Sequence, residues 1–505
     1  MPRAAALSAL TPPRTARNGL ALTAVCLVAL MFGLEISSVP VILPTLEQEQ
    51  ELGTGFQDAQ WIMNAYTLAC TSVLMAAGTL ADRFGRRRVL VVCLWLFGLA
   101  SLACGLADSA ATLIVARFVQ GIGAGAMMIC QFAILSHQFR EPATRARAFA
   151  IWGVIAGVGL GFGPMVGALI LAVADWRWVF LVHVPLTLFT LALLHISVQE
   201  SRDPASHRLD IAGMLTMTLT VFALVYFITQ GSEIGFGTPA MLGWAGLSVF
   251  GLLLFIWIER RSAHPMFDFS VLRIQRFNGA LMGSIGMNFS FWPFMIYLPL
   301  YFQAGLGYDT LTTGAALLAY TLPTLLVPPL AERLALRFGA ERIIPLGLGT
   351  MGAGFMGMAA VNYAEQPSTA MVLLSCVIAG IGLALTNSPT TNTTTGAVSN
   401  DRAGMASGID FSARLITLAL NIALMGLVLL LGISHHLAHV LPASTALEWA
   451  SLSQHIAAGK LDAPGLTVLD AQTALRSGAG WAMLFAGLGA SGLAVLSRYF
   501  FRRER

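Results

Sequence analysis

Hydrophobic residues run in blocks of about twenty along almost the whole chain, separated by short polar stretches. The blocks fall at about 20–44, 59–80, 89–107, 111–137, 147–173, 178–197, 209–230 and 240–258. They continue at about 278–303, 312–335, 343–361, 368–390, 403–432 and 478–498. At about 1.5 Å of rise per residue, each is long enough to cross the hydrocarbon layer of a bilayer as a helix. A helix also satisfies its own backbone groups, which lipid cannot do. The pattern predicts an all-α polytopic membrane protein with fourteen spans. Residues 1–19 are polar and arginine-bearing, with no small-residue cleavage pattern behind an apolar core, so the first block reads as a retained helix after a short tail.

Charge gives an independent reading of the same pattern, because short cytoplasmic loops collect Lys and Arg. If the chain starts on the cytoplasmic side, 24 of its 29 basic residues fall in alternate, inner segments. The outer segments hold Arg177, Lys460 and Arg476, while Arg117 and Arg414 lie within spans. Both termini are therefore expected in the cytoplasm, with a tail at 499–505. Arginine outnumbers lysine 28 to 1, which suggests a GC-rich bacterial genome and hence a bacterial inner or cytoplasmic membrane. Only 11% of residues are charged, against roughly a quarter in a soluble domain.

The six cysteines all sit in apolar blocks and read as packing residues. No phosphate-binding loop, nucleophile elbow or Cys/His metal cluster is present, so neither an enzyme, an ATP-driven pump nor a metal site is indicated. The arginines are spread over many segments and form no nucleic-acid-binding face.

Several short stretches carry more information than the blocks. "GTLADRFGRRR" (78–88) forms a tight turn between spans two and three. There Gly78 permits close helix approach, Asp82 can accept from the next helix or an arginine, and Arg86, Arg87 and Arg88 hold the turn inside. "RFVQGIGAGA" (117–126), "GVGLGFGPMVGA" (157–168), "LEISSVPVILPTL" (34–46), "DWRWVFLVHVP" (175–185) and "YLPLYFQAGLGYDTLTTGAALL" (297–318) add to it, and "PLAERLALRFGAER" (329–342) is a degraded echo of the first turn. Together these resemble the major facilitator superfamily, in particular its fourteen-helix drug:proton antiporters of the multidrug efflux type, from about residue 20 to 498.

The resemblance implies two six-helix bundles related by pseudo-symmetry, over 20–200 and 263–498, joined by two linker transmembrane helices over 201–262. The second bundle is expected to carry a long outside loop at about 433–477. The resemblance makes Gly78, Asp82, Arg83, Gly85, Arg86 and Arg87 a cytoplasmic latch. It makes the span-five face of Gly157, Gly161, Gly163, Pro164 and Gly167 an antiporter helix that seals the bundles and bends during exchange. Ala168 stands where the family has a further glycine, and Pro40 where it commonly has asparagine.

Ionisable groups at lipid depth are costly and are functional candidates for that reason. Glu35 lies well inside span one, where burial favours a neutral carboxyl that ionises when hydrated or paired. That is what proton exchange requires; a carboxyl permanently bonded to a neighbouring helix is the alternative. The family's usual residue there is aspartate. Arg117 cannot shed its charge and must find a carboxylate or carbonyls; the resemblance assigns it to proton coupling, with Gln120 a turn away. Asp410 and Arg414 share a helix face and either neutralise each other or line the second bundle's cavity. Asn64, Tyr66, Trp292, Tyr297, Gln303 and Asn387 are further candidates for an adaptable cavity. Span ten has no acidic residue before Glu332, which favours monovalent or neutral substrates over divalent cations. His435, His436 and His439 are expected in the long outer loop, and 446–459 as a helix along the outer surface.

The expected function is export of lipophilic small molecules or drugs, driven by protons, with no cofactor beyond the coupling ion. A dedicated exporter of one metabolite or antibiotic, or a non-transporting receptor or scaffold, are the alternatives. Membrane lipid and substrate are the expected partners, with a periplasmic adaptor added in a two-membrane cell; nucleic acid is not expected.

Overall fold

The computed structural model describes residues 14–48, 52, 54–139, 141–201, 210–262, 269–362, 368–398, 403–441, 446–462 and 466–503. Helices account for nearly all of them, and no strand occurs among the described residues. In chain order they are α1 (Arg14–Gln48), α2 (Phe56–Phe84), α3 (Arg86–Gly105), α4 (Ala110–Gln138), α5 (Pro142–Val173), α6 (Arg177–Leu181), α7 (His183–Ser197), α8 (Ile211–Ile234) and α9 (Pro239–Arg261). They continue with α10 (Gln275–Leu300), α11 (Thr310–Leu326), α12 (Pro328–Phe338), α13 (Ala340–Asn362), α14 (Thr369–Gly396), α15 (Ala403–Val440), α16 (Ala446–Ala457) and α17 (Val468–Arg502). A π-helical turn at Tyr301–Gly305 extends α10 beyond Pro293 and Pro299.

Every apolar block of the sequence overlaps one of these helices, and length and composition of the described residues do not by themselves establish the expected fourteen spans. Among the described residues, eleven helices are long and apolar enough to cross a bilayer, or twelve if α11 and α12, bent by 45° at Val327, are one span. The helices α2 and α10 are not among them. Both carry polar residues turned to protein: Gln60, Asn64 and Thr67 on α2, and Asn278, Ser284, Asn288 and Ser290 on α10, are buried. A second difference concerns the long loop. Because α15 runs to Val440, His435, His436 and His439 lie on its last turns, and the loop begins after them. The rings of His435 and His439 are 4.7 Å apart. The helix expected within 446–459 is α16, whose Ile456 and Ala457 are fully buried.

Local chemistry sets the element ends. Ser109, Asp210 and Asp309 cap α4, α8 and α11 by accepting from the N–H of Thr112, Gly213 and Thr312, and Thr467 with Asp470 forms a capping box on α17. Gly85 (φ 112°) breaks α2 from α3, and Gly339 (φ 88°) breaks α12 from α13 in the same way. The two turns that echo each other in sequence therefore share a backbone geometry.

The helices α1–α7 pack chiefly among themselves, as do α10–α17. The pair α8 and α9 pack on each other, and α8 lies against α2 and α15 through Trp61, Leu68, Val221, Val225, Ala419 and Ala423. The two groups meet where α5 faces α11, α2 faces α15 and α1 faces α10. One end of that seam is shut by Leu43, Phe56, Ala59, Ile296, Tyr297 and Leu300, which leave a void of only about 10 Å³, no more than one water. Exposed Val92, Leu99, Val115, Val173, Leu253 and their like form the apolar outer surface that lipid covers.

Candidate functional site

Close helix approach creates the site. On α4, Gly121 lies against the Tyr66 carbonyl and Gly125 against the backbone of Cys70, so α4 and α2 nearly touch. On α1, Gly33 faces Leu160 and Gly159 of α5, and Ser37 donates to the carbonyls of Gly33 (2.7 Å) and Gly159 (3.1 Å). Side chains between these tight contacts are sealed from solvent.

There Glu35 meets Arg117, and both side chains are 0% exposed. Arg117 Nη1 donates to Glu35 Oε1 and, at 2.7 Å, to Gln120 Oε1, while Nε donates to the Ile62 carbonyl at 3.1 Å. The guanidinium also lies 4.3 Å over the Tyr66 ring and 5.8 Å from that of Phe180. Gln120 passes the network on by donating to Ser101 Oγ at 2.9 Å. The other carboxylate oxygen, Oε2, is 3.3 Å from Nδ1 of His183, itself fully buried at the start of α7 and edge-on to Phe97. Two opposite charges without water are tolerated only when paired and further hydrogen-bonded; here the pair is made and Arg117 Nε and Nη1 are bonded, while Glu35 Oε2 and Arg117 Nη2 have no hydrogen-bond partner among the described residues.

A second polar cluster sits in the other group of helices. Arg414 Nε donates to Asp410 Oδ2 at 3.0 Å, and its other nitrogens donate to Asn387 Oδ1 (2.8 Å) and Thr391 Oγ1 (2.9 Å) of α14. Asp410 also accepts from Ser284 of α10. Three helices are thereby tied through one ion pair.

The sequence-predicted residues divide among these places. Glu35, Tyr66, Arg117 and Gln120 come together in the first cluster, and Asn387, Asp410 and Arg414 in the second. Asn64 is fully buried on α2, with neither amide atom partnered among the described residues. Tyr297 is buried and donates to the Ile422 carbonyl, Trp292 packs beside Phe291, and Gln303 lies in the π turn. The glycine face of α5 has two neighbours: Gly159, Gly163 and Gly167 abut Gly33, Ser37 and Ser38 of α1, while Gly157 and Gly161 abut Leu325 and Thr321 of α11. Thr321 Oγ1 donates to the Gly161 carbonyl, so α5 is bonded across the seam. Ala168 meets Gly314 of α11, which supplies the space that a glycine at 168 otherwise gives.

At the 78–88 turn, Arg83 covers the Phe84 ring and Gly85 lies against the Glu200 carboxylate. Glu200 accepts from the backbone N–H of Arg87 (3.1 Å) and Arg88 (3.0 Å), and so caps α3. The Arg86 N–H donates to the Ser201 carbonyl, and Arg87 Nη2 to the His195 carbonyl. Gly78 and Asp82 are on α2, but their side-chain surroundings lie outside the described residues.

Sequence reasoning gave no role to His183, Ser101, Ser284, Thr391 or Glu200. His183 was the detectable one: an ionisable residue within an apolar run, the same signal that singles out Glu35 and Arg117.

Fold and site together define a polytopic helical membrane transporter. Residues 25–421 match the Major Facilitator Superfamily, and the chain belongs to that family. It is 34% identical over 399 residues to the multidrug resistance protein Stp of Mycobacterium tuberculosis, covering 79% of this chain and 73% of that one. It is 32% identical over 406 residues to the puromycin resistance protein pur8 of Streptomyces alboniger, covering 79% of each. The methylenomycin A resistance protein of Streptomyces coelicolor is 29% identical over 418 residues, covering 82% of this chain and 86% of that one. Among solved structures, a bacterial homolog of the human lysosomal transporter Spinster, in an inward-facing and unoccupied conformation, shares the fold with a TM-score of 0.65 and 16% identity, over 96% of this chain and 98% of that one.

Proposed function

We propose that the protein exports lipophilic small molecules or drugs, monovalent cationic or neutral, in exchange for protons, by alternating access across a bacterial inner or cytoplasmic membrane. In this reading α1–α7 and α10–α17 are two rocking bundles, and α8 and α9 are the linker pair. Counting α6 with α7 and α11 with α12 as single spans, and leaving out the short α16, gives fourteen, with both termini cytoplasmic.

The observation that carries the proposal is the buried Glu35–Arg117 pair. Only the carboxylate can change charge, because a guanidinium keeps its proton. Protonation of Glu35 dissolves the pair, and Arg117 then rests on the Ile62 carbonyl, Gln120 and the face of Tyr66. Proton and substrate need not touch to compete: each stabilises a different arrangement of the seam. With the termini inside, the seam shut by Leu43, Phe56 and Tyr297 is the outer one. An ionised, paired Glu35 then belongs to the step in which the proton has left inward and substrate loads. The α5 glycine face, lying between α1 and α11, carries the change across the seam.

The relatives named for multidrug, puromycin and methylenomycin resistance support drug or antibiotic substrates. Those named for a single compound favour a narrower second reading, a dedicated exporter with the same machinery.

The test is accumulation of a fluorescent lipophilic cation in everted vesicles under an imposed proton gradient. Wild type accumulates the dye and Glu35→Gln does not. Equal gradient-driven accumulation by the variant removes Glu35 as the coupling site, and a wild type that moves one antibiotic but no dye selects the narrower reading.

A further inference from the structure

His183 is the one group in the first cluster that proton coupling through Glu35 and Arg117 leaves unused. It is 1% exposed, and its Nδ1 lies 3.3 Å from Glu35 Oε2 and 3.2 Å from the Val179 carbonyl. The hydrogen bond of Nδ1 goes to the Val179 carbonyl, and Glu35 Oε2 is a second acceptor within reach but not hydrogen-bonded, so a neutral ring here carries its proton on Nδ1 and a bare lone pair on Nε2. Among the described residues, Nε2 has no partner. A buried nitrogen base without a donor costs the desolvation of its lone pair. The ring also occupies a particular place along the chain. It opens α7 directly after the short α6, and partly exposed Arg177 is six residues back, about 9 Å along a helix.

We propose that His183 is a proton relay between the outer end of the bundle and Glu35. A hydronium ion at the outer end gives a proton to Nε2 and leaves as water, while the Nδ1–H bond breaks and the Nδ1 proton passes to Glu35 Oε2. The carboxylate becomes a neutral carboxyl, and the imidazole stays neutral, now protonated on Nε2. Arg117 is released at the same time and is held by Ile62, Gln120 and Tyr66. The starting tautomer returns by exchange with water when the site is hydrated in the opposite conformation. The charged and titratable groups around the ring and its carboxylate are Glu35 from α1, Tyr66 and Cys70 from α2, Cys104 from α3 and Arg117 from α4. Of these only Glu35 is near enough to take the Nδ1 proton: its Oε2, which has no hydrogen-bond partner among the described residues, is 3.3 Å away, and the transfer requires Nδ1–H to turn from the Val179 carbonyl. The relay rests on the proton-driven reading above and adds a path to it.

The experiment compares reconstituted wild type, His183→Gln and Glu35→Gln in proteoliposomes. Two rates are read for a fluorescent lipophilic cation: uptake driven by a proton gradient, and exchange without one. Glutamine keeps a donor near Val179 and Glu35 but cannot accept a proton and pass another on. The ratio of driven to exchange transport is expected to fall at least about tenfold in His183→Gln, with its pH profile altered. A wild-type ratio and pH profile in His183→Gln, alongside a collapsed ratio in Glu35→Gln, overturns the relay alone. An intact ratio in Glu35→Gln overturns the proton-driven reading itself. Should His183→Gln and His183→Asn both lack exchange, 15N-histidine spectra of wild type and Glu35→Gln decide. One of the nine rings protonated on Nδ1 in wild type and changed in Glu35→Gln supports the relay; nine unchanged rings overturn it.

Discussion

Gly121 of α4 packs directly on the backbone of Tyr66 in α2: a Cβ at 121 would lie 3.0 Å from the Tyr66 carbonyl carbon and 2.9 Å from Ala69 Cβ. The same approach sets the guanidinium of Arg117, one turn earlier, over the Tyr66 ring. Neither backbone can yield without moving a helix. Gly121→Val should therefore cost about 1–3 kcal/mol through overpacking and should reduce transport sharply. Thermal unfolding in detergent and vesicle transport measure the two effects; normal values for both would show that the contact is dispensable.

Removing one member of the Glu35–Arg117 pair strands the other charge without water. Arg117→Gln and Glu35→Gln are each expected to destabilise the protein, the former by about 3–5 kcal/mol. The double variant should recover part of that loss, because two neutral amides replace two charges. Unfolding midpoints of the four proteins form the cycle, and strictly additive changes would argue against a coupled pair.

Gly85 has a backbone conformation that other residues avoid, and it abuts the Glu200 carboxylate. Gly85→Ala should cost about 1–3 kcal/mol in backbone strain. It should also displace Glu200 from the N–H groups it caps on α3. Glu200→Gln isolates the second effect, since the amide oxygen still accepts but the charge at the helix terminus is gone. A smaller loss is expected there, and melting temperatures of the two variants rank them.

Asp309 caps α11 from outside the membrane-spanning helices, and its bonds from Thr312 hold its carboxyl below the ordinary aspartate range. The stabilisation is present above the unfolded-state value and is lost as pH falls through the lower, folded one. Asp309→Ala should therefore melt below wild type at neutral pH, and the gap should close in strong acid. A gap independent of pH would show that the cap acts without its charge.

The helices were legible because apolar blocks and lipid solvation are properties of the chain itself. Glu35 and Arg117 were legible for the same reason, since a charge in an apolar run is visible without a fold. The helices α2 and α10 were read as spans from their own apolar blocks at 59–80 and 278–303, and the structure shows that the polar residues within those blocks face protein. Helix ends were less legible: His435 and His439 look like loop residues, yet packing against α17, with His435 5.3 Å from Trp481, keeps α15 helical past them.

By itself the sequence determined the all-helical class and picked out the ionisable groups within apolar runs; the sidedness its arginines imply is an expectation from the same pattern. Only the tertiary structure decided which groups meet. Glu35 and Arg117 are 82 positions apart, and their partner His183 lies on a third helix. Such contacts depend on how closely helices approach, which is set by glycines such as Gly33, Gly121 and Gly159 acting against backbone elsewhere. A periodic pattern records the face that a helix buries, but the register between two helices is fixed by packing alone.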